Sequence, residues 1–348
     1  MKLKIMALAT WCLLIGSAQS VSANDCVSDN NVRKSEYANP VYAKNCPDPT
    51  IWRGEDGYFY CMHTMGSTPG TLLRSTYLAD WQETDIKPIS DEEFAKCMQW
   101  GDRVWAPDVT VVGSQRMAYL TLYYGLHDAS IVALKEVSPF NFLFVSVITR
   151  GVDTGIDDTI DPEVVTDEKT GKVWLFFGSM GRMYRVQLNS TGTALAEGAE
   201  YEHVAGVHGS TNPDRRKVFE GCYLHYHDGY WYLFCSSGYF GDWTYSTRVG
   251  RGKTLEGEFV DRQGRKMTEG YSEAVISSDE GDYFYGPGHN GEIFTDREGN
   301  DWILYHCHNK GTDSSSRPLM LQQLVWGKDG WPSVKGGKPV TKAAAPVF

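Results

Sequence analysis

Five short β-type hairpins recur along this chain, each opened by an ionisable residue: Asp48, Asp108, Asp161, Glu220 and His289. They cover Asp48 to Cys61, Asp108 to Tyr124, Asp161 to Phe177, Glu220 to Phe234 and His289 to Tyr305. Each passes through β-branched or aromatic residues to a polar turn and an aromatic return run, such as Tyr58 to Tyr60 or Tyr230 to Phe234. The heads are spaced by 60, 53, 59 and 69 residues. A period above about 40 residues in an all-β chain predicts a propeller of four-stranded blades, here a five-bladed β-propeller in a single domain. Four strands of about six residues fill less than half of each repeat, so the surplus belongs to loops. The first strand of a blade lines the central channel, so the five heads are expected to converge at one mouth.

Little else competes with that reading. Helical periodicity is nearly absent, and the one predicted helix runs from Asp91 to Met98 behind a Ser90 cap. Lys2 and Lys4, the apolar run from Ile5 to Gly16 and the small-residue exit at Val21 to Ala23 read as a cleaved secretory signal. The apolar run is too short to cross a bilayer, and Ala23, Asn24 and Asp25 before Cys26 do not make a lipidation site. The expected organisation is a signal at 1–23, an N-terminal extension at 24–38, the propeller at 39–334, and a tail or ring-closing segment at 335–348. Such a chain is exported, either secreted or periplasmic, with no membrane attachment after cleavage.

The formal charge of −11 argues against nucleic acid and anionic substrates, and a neutral polymer is a compatible partner. Removal of the signal takes Cys12 and leaves an odd number of cysteines. Cys222 and Cys235 are equidistant from the Asp228-Gly229 turn and would face each other in a two-residue hairpin. An exported compartment permits a disulfide there, and two buried thiols on facing strands fit equally well.

The chemistry resides in the acids. An Asp before Pro, as at Asp48-Pro49 and Asp161-Pro162, is ordinarily a turn residue. Three acids on converging strands, with Glu220 lacking the proline, are harder to explain as turns. Carboxylates crowded into a cavity repel when ionised, so one keeps its proton while another stays charged, which supplies an acid and a base. Glycoside hydrolysis needs such a pair, about 5 to 5.5 Å apart for retention or 6.5 to 9.5 Å for inversion. His289 shares the head position and could hold a metal, a water or the substrate. His225 with His227 and His306 with His308 have the spacing that places both rings on one strand face, without a third metal ligand in sight. Most of the 20 Tyr and 11 Trp suit packing between blades, while Trp105, beside a head, could stack on a sugar ring.

The ordered motifs Asn45-Cys46-Pro47-Asp48-Pro49, Trp105-Ala106-Pro107-Asp108, Ile160-Asp161-Pro162, Phe219-Glu220, Val249-Gly250-Arg251, Gly286-Pro287-Gly288-His289-Asn290, Tyr305-His306 and Gly330-Trp331-Pro332 carry a resemblance. Over about Asn39 to Pro332 the chain resembles glycoside hydrolase family 43, and within it the arabinan endo-1,5-α-L-arabinanase group. That resemblance implies an inverting glycosidase on arabinan, with Asp48 as general base, Glu220 as general acid, and Asp161 tuning and orienting the acid. It implies substrate contacts from Trp105, Asp108, Asp158 and Ser179. It also implies that His289 helps hold calcium or another ion in the channel, largely through water. The chain departs from the group at Asp158-Thr159-Ile160-Asp161, where Asn-Ala-Ile-Asp is usual, at Met180-Gly181 after Gly178-Ser179, and in the short Gly125 to Ser130 loop. An exo-acting α-L-arabinofuranosidase or β-xylosidase on the same scaffold, and a non-catalytic sugar-binding propeller, are the competing readings.

Overall fold

A computed structural model describes residues 34–125, 127–208, 214–311 and 315–348 of the chain. The signal expected at 1–23, residues 24–33 of the expected extension, and Cys12 and Cys26 all lie outside the described residues.

Five antiparallel sheets follow one another along the chain, each built from strands adjacent in sequence. The first blade holds Thr50–Arg53, Phe59–Met62, Leu73–Ser75 and Gln82–Glu83; the second holds Arg103–Val112, Gln115–Tyr123, Ala129–Ser138 and Asn141–Arg150. The third comprises Glu163–Thr166, Val173–Phe177, Met183–Leu188 and Glu202–Ala205; the fourth comprises Phe219–His227, Tyr230–Ser237, Ser246–Gly252 and Glu273–Ile276. In the fifth, an inner strand interrupted at the His289 turn, Phe284–Gly288 and then Ile293–Thr295, pairs along Asp301–Asn309, which is followed by Leu319–Trp326 and Pro332–Val334. This is the five-bladed propeller expected. Local chemistry closes the hairpins: at Asp228-Gly229 both residues are left-handed, with φ of 45° and 82°, as a two-residue turn between His227 and Tyr230 demands.

Each sheet buries both faces against its neighbours, so the apolar residues gather into five clusters, one per blade interface. Phe59, Leu304 and Leu321 join the first blade to the fifth, and Phe176, Leu224 and Leu233 join the third to the fourth. The second strands are therefore apolar on both sides, and Val173–Phe177 is buried along its whole length. Near the chain ends, Glu36–Ala38 pairs with Lys342–Ala344, Tyr37 donates its hydroxyl hydrogen to the Leu321 carbonyl at 2.7 Å, and the Phe348 ring meets Phe59 edge-on. The helix spans Asp91–Cys97, with the Ser90 Oγ accepting from the Glu93 amide at 3.2 Å.

The entry to the inner strands corrects the expected register. A left-handed residue stands there in every blade: Asp48 (φ 54°), Ala106 (φ 35°), Asp161 (φ 57°), Gly221 (φ 59°) and His289 (φ 44°). Bulges between Trp105 and Asp108 and between Glu220 and Tyr223 absorb the difference. Glu220 therefore precedes its blade's turn by one residue, and Asp108 follows its turn by two. Of the five expected heads, Asp108 does not stand at the common mouth but one layer deeper.

That deeper layer is a closed ring of hydrogen bonds from backbone to side chain. The Thr50 hydroxyl accepts from the Val109 amide at 3.0 Å, Asp108 from Val164 at 2.8 Å, Glu163 from Leu224 at 3.2 Å and the Tyr223 hydroxyl from Ile293 at 3.0 Å, while Glu292 accepts from Ile51. Each blade's inner strand thus satisfies an amide of the next, and the last closes on the first. The same bulge carries Cys222 out of regular pairing; its thiol donates to the Asp161 carbonyl, and all six described cysteines are free.

Candidate active site

At the mouth, Asp48 is the most heavily partnered acid. Its Oδ1 lies 3.0 Å from an Arg317 guanidinium nitrogen, 3.3 Å from His289 Nδ1 and 3.4 Å from His306 Nδ1, and its Oδ2 accepts from the Thr64 hydroxyl at 2.6 Å. Burial alone would raise its pKa, but the Arg317 guanidinium above all, with the Thr64 hydrogen bond, holds the carboxyl below the ordinary carboxylate range. The Asp48 amide donates to His306 Nδ1 at 3.1 Å, which fixes the tautomer of His306 with its proton on Nε2. Burial, assisted by Arg317, keeps that imidazole well below its usual pKa and therefore neutral.

Glu220 is held from two sides. Ser179 donates to its Oε2 at 3.0 Å, and Tyr245, itself stacked on His306, donates to its Oε1 at 2.6 Å. Gly221 next to it brings the backbone against His289: a Cβ there would lie 2.9 Å from the imidazole Nδ1, so both the conformation and the space require glycine. Asp161 accepts from the Gly221 amide at 3.1 Å, and its own amide donates to Thr121 at 3.0 Å. Burial first, then the charges of Glu220 and Asp48, push the Asp161 carboxyl well above the ordinary range. Asp158 is raised to about 7 by burial and by Asp157 and Glu220, and its Oδ1 is buried without a partner. Asp48, Asp161 and His289 are non-glycine residues in left-handed conformations, each costing roughly 1–3 kcal/mol that the surrounding hydrogen bonds must offset.

A cavity of about 800 Å³ opens above Glu220 and is lined among others by Asp158, Ser179, Arg215, Tyr239 and Phe240. Of the residues expected to contact substrate, Asp158 and Ser179 line it. Trp105 is half-buried and stacked on Tyr123 at 3.9 Å. Asp108 lines a separate cavity of about 450 Å³ further down the channel, with Glu163, Tyr223 and Glu292. Sequence reasoning did not single out Arg317, Thr64 or Tyr245. Arg317 and Tyr245 carry no local motif, and their partners lie far away in sequence.

The ion expected at His289 finds one suitable oxygen: Asn290 Oδ1, in a residue only 3 % exposed, is buried without a hydrogen-bond partner. An amide oxygen from the residue that follows His289 is the kind of ligand a calcium-like ion takes. Among the described residues, no three His, Cys, Asp or Glu ligand atoms converge there, so such an ion would take most of its ligands from water. His306 and His308 do not form a metal pair. His308 is engaged by the carbonyls of Phe240 and Ser316, and His306 Nε2 bears a proton.

Comparison with known proteins places this arrangement. The chain is 28% identical over 310 residues to an extracellular exo-α-(1→5)-L-arabinofuranosidase of Cellvibrio japonicus, covering 82% of this chain and 85% of that one. It is 26% identical over 244 residues to extracellular endo-α-(1→5)-L-arabinanase 1 of Bacillus subtilis, covering 67% and 69% respectively. The solved structure of a Cellvibrio cellulosa α-L-arabinanase complexed with arabinohexaose superposes with a TM-score of 0.69 at 25% identity, covering 83% of this chain and 95% of that one. The model of glycosyl hydrolases family 43 matches residues 37–332, nearly the whole propeller, and the chain therefore belongs to that family.

Proposed function

We propose that this chain is an exported, inverting hydrolase of α-1,5-linked arabinofuranosyl units in arabinan. The observation that carries the mechanism is the electrostatic contrast at the mouth: Arg317 favours the charged form of Asp48, whereas burial and the charge of Glu220 disfavour the charged form of Asp161. In this reading a water attacks the anomeric carbon as Asp48 takes its proton. Glu220 gives a proton to the glycosidic oxygen, so the C–O bond breaks and the leaving sugar departs as an alcohol. Exchange with solvent then returns both carboxyls to their starting states. Asp161 acts on Glu220 through the electrostatic coupling of the two carboxyls and through the Gly221 amide. Asp158 and Ser179, in the cavity wall, are assigned to sugar binding, with Trp105 as a further candidate platform.

An ion held by His289, Asn290 and water would add positive charge near the channel centre. Calcium should raise the thermal midpoint of wild type, and Asn290→Ala should abolish that response. Export is supported by the N-terminal sequence and by the names of the extracellular relatives; among the described residues no helix is long and apolar enough to cross a membrane.

Because both exo- and endo-acting relatives match, exo action on arabinan ends is the second reading. Incubation with linear arabinan decides between them: a ladder of oligomers marks internal cleavage, and arabinose alone marks end cleavage. Glu220→Gln and Asp48→Asn should each lower kcat by at least about a hundred-fold while the fold persists. Wild-type turnover in both variants would sink the assignment.

A further inference from the structure

The inner strand of the fourth blade ends in His225 and His227, whose rings lie on one face with centroids 6.4 Å apart. Asp301, which opens the second strand of the fifth blade, comes up beside them. One ring nitrogen from each histidine and one carboxylate oxygen of Asp301 all lie within 4.8 Å of one another. These three are the only such group among the described residues. We propose that His225, His227 and Asp301 form a transition-metal site, best suited to Zn²⁺, that clips the fourth blade to the fifth at the end of the propeller away from the catalytic mouth.

Two imidazole nitrogens and a carboxylate oxygen are a conventional zinc donor set, with water completing the tetrahedron. Zinc bonds of about 2.0–2.1 Å place tetrahedral ligands roughly 3.4 Å apart, so atoms now within 4.8 Å of one another need to close by at most about 1.4 Å. The supporting shell is already built. The Trp326 indole lies flat on His227, with centroids 3.7 Å apart and planes 2° apart, and also stacks on His225. Its Nε1 donates to Asp301 Oδ2 at 2.6 Å, while the Thr295 hydroxyl donates to Oδ1 at 2.6 Å. Donors of this kind orient a ligating carboxylate.

Two features favour a ligand at this place. Asp301 is 8 % exposed, yet among the described residues no Lys or Arg forms an ion pair with it. Nor does any hydrogen bond among the described residues engage either imidazole, although Trp326 stacks on both rings. The strand runs from Glu220 at the mouth to His227 beside the Asp228-Gly229 turn, so a metal at its far end would stabilise the ring without entering the reaction.

The test uses the full mature protein, stripped with a chelator and titrated with ZnCl₂ alone by calorimetry and thermal unfolding. We expect one Zn²⁺ bound at this site at micromolar Kd or tighter, a midpoint raised by several degrees, and unchanged hydrolysis. His227→Ala and the near-isosteric Asp301→Asn should each weaken that binding at least a hundred-fold, with circular dichroism confirming the fold of each. No zinc binding by wild type, or full binding retained by whichever variant is folded, overturns the proposal. So does zinc binding that inhibits hydrolysis, because that locates the ion among the channel histidines.

Discussion

Arg317 places a guanidinium nitrogen 3.0 Å from Asp48 Oδ1, joining a loop of the fifth blade to the acid that heads the first blade, across 269 residues. The side chains are 18% and 11% exposed, so the pair is shielded from solvent and carries more weight than a surface ion pair. Arg317→Gln removes the largest influence holding the Asp48 carboxyl down. A base works only when ionised, so the acid limb of the kcat/KM profile should move to higher pH by a unit or more. Arg317→Lys should restore part of the shift. An unmoved acid limb in Arg317→Gln would show that Asp48 is not the titrating base.

Tyr245 joins the two halves of the site, donating to Glu220 at 2.6 Å while its ring stacks on His306. Tyr245→Phe keeps the ring and deletes the donor. As Glu220 gives up its proton this bond becomes one to a charged acceptor, worth roughly 1.5–3 kcal/mol, and about 1.4 kcal/mol is ten-fold in rate. We therefore expect kcat to fall about ten-fold or more with KM little changed. Equal loss from KM would assign Tyr245 to sugar binding instead.

The ring of buried acids one layer below should make stability depend on pH. Burial pushes Asp108 to about 7 and Glu292 to about 8, and raises Glu163 well above its usual value. In the unfolded chain these groups titrate near 4. Between about pH 4 and pH 8 the folded state holds more protons, so stability falls as pH rises, by up to roughly 1.4 kcal/mol per pH unit for each group. The thermal midpoint should drop from pH 5 to pH 8.5, and Glu292→Gln should flatten that slope. A midpoint independent of pH in wild type would contradict the raised values.

Much of this architecture was legible because propeller hairpins are local. The Asp-Gly turn, the Ser90 cap and the aromatic return strands each declare themselves within a few residues. What was not legible depends on contacts between blades. Asp108 reads as a head because it is the acid in Trp105-Ala106-Pro107-Asp108, yet the left-handed position belongs to Ala106, and no residue type there signals that conformation. Arg317 reaches Asp48 only because the fifth blade closes against the first. His225 and His227 showed their shared face from spacing alone, while Asp301 arrives from the neighbouring blade.

Ala106 offers the most direct check on that corrected register. It sits at φ 35°, is 2 % exposed, and donates its amide to the Thr64 hydroxyl, which in turn donates to Asp48. An L-residue in this region costs roughly 1–2 kcal/mol that glycine avoids, while glycine loses some of that gain through the entropy of the unfolded chain. If the left-handed turn is where the structure has it, Ala106→Gly should be neutral or stabilise the protein by up to about 1 kcal/mol in urea unfolding, despite loss of a buried methyl. An extended Ala106, as an Asp108-headed hairpin would have, predicts destabilisation by a similar amount. The sign of one measured difference therefore tells which residue of the second blade stands in register with Asp48, Asp161 and His289.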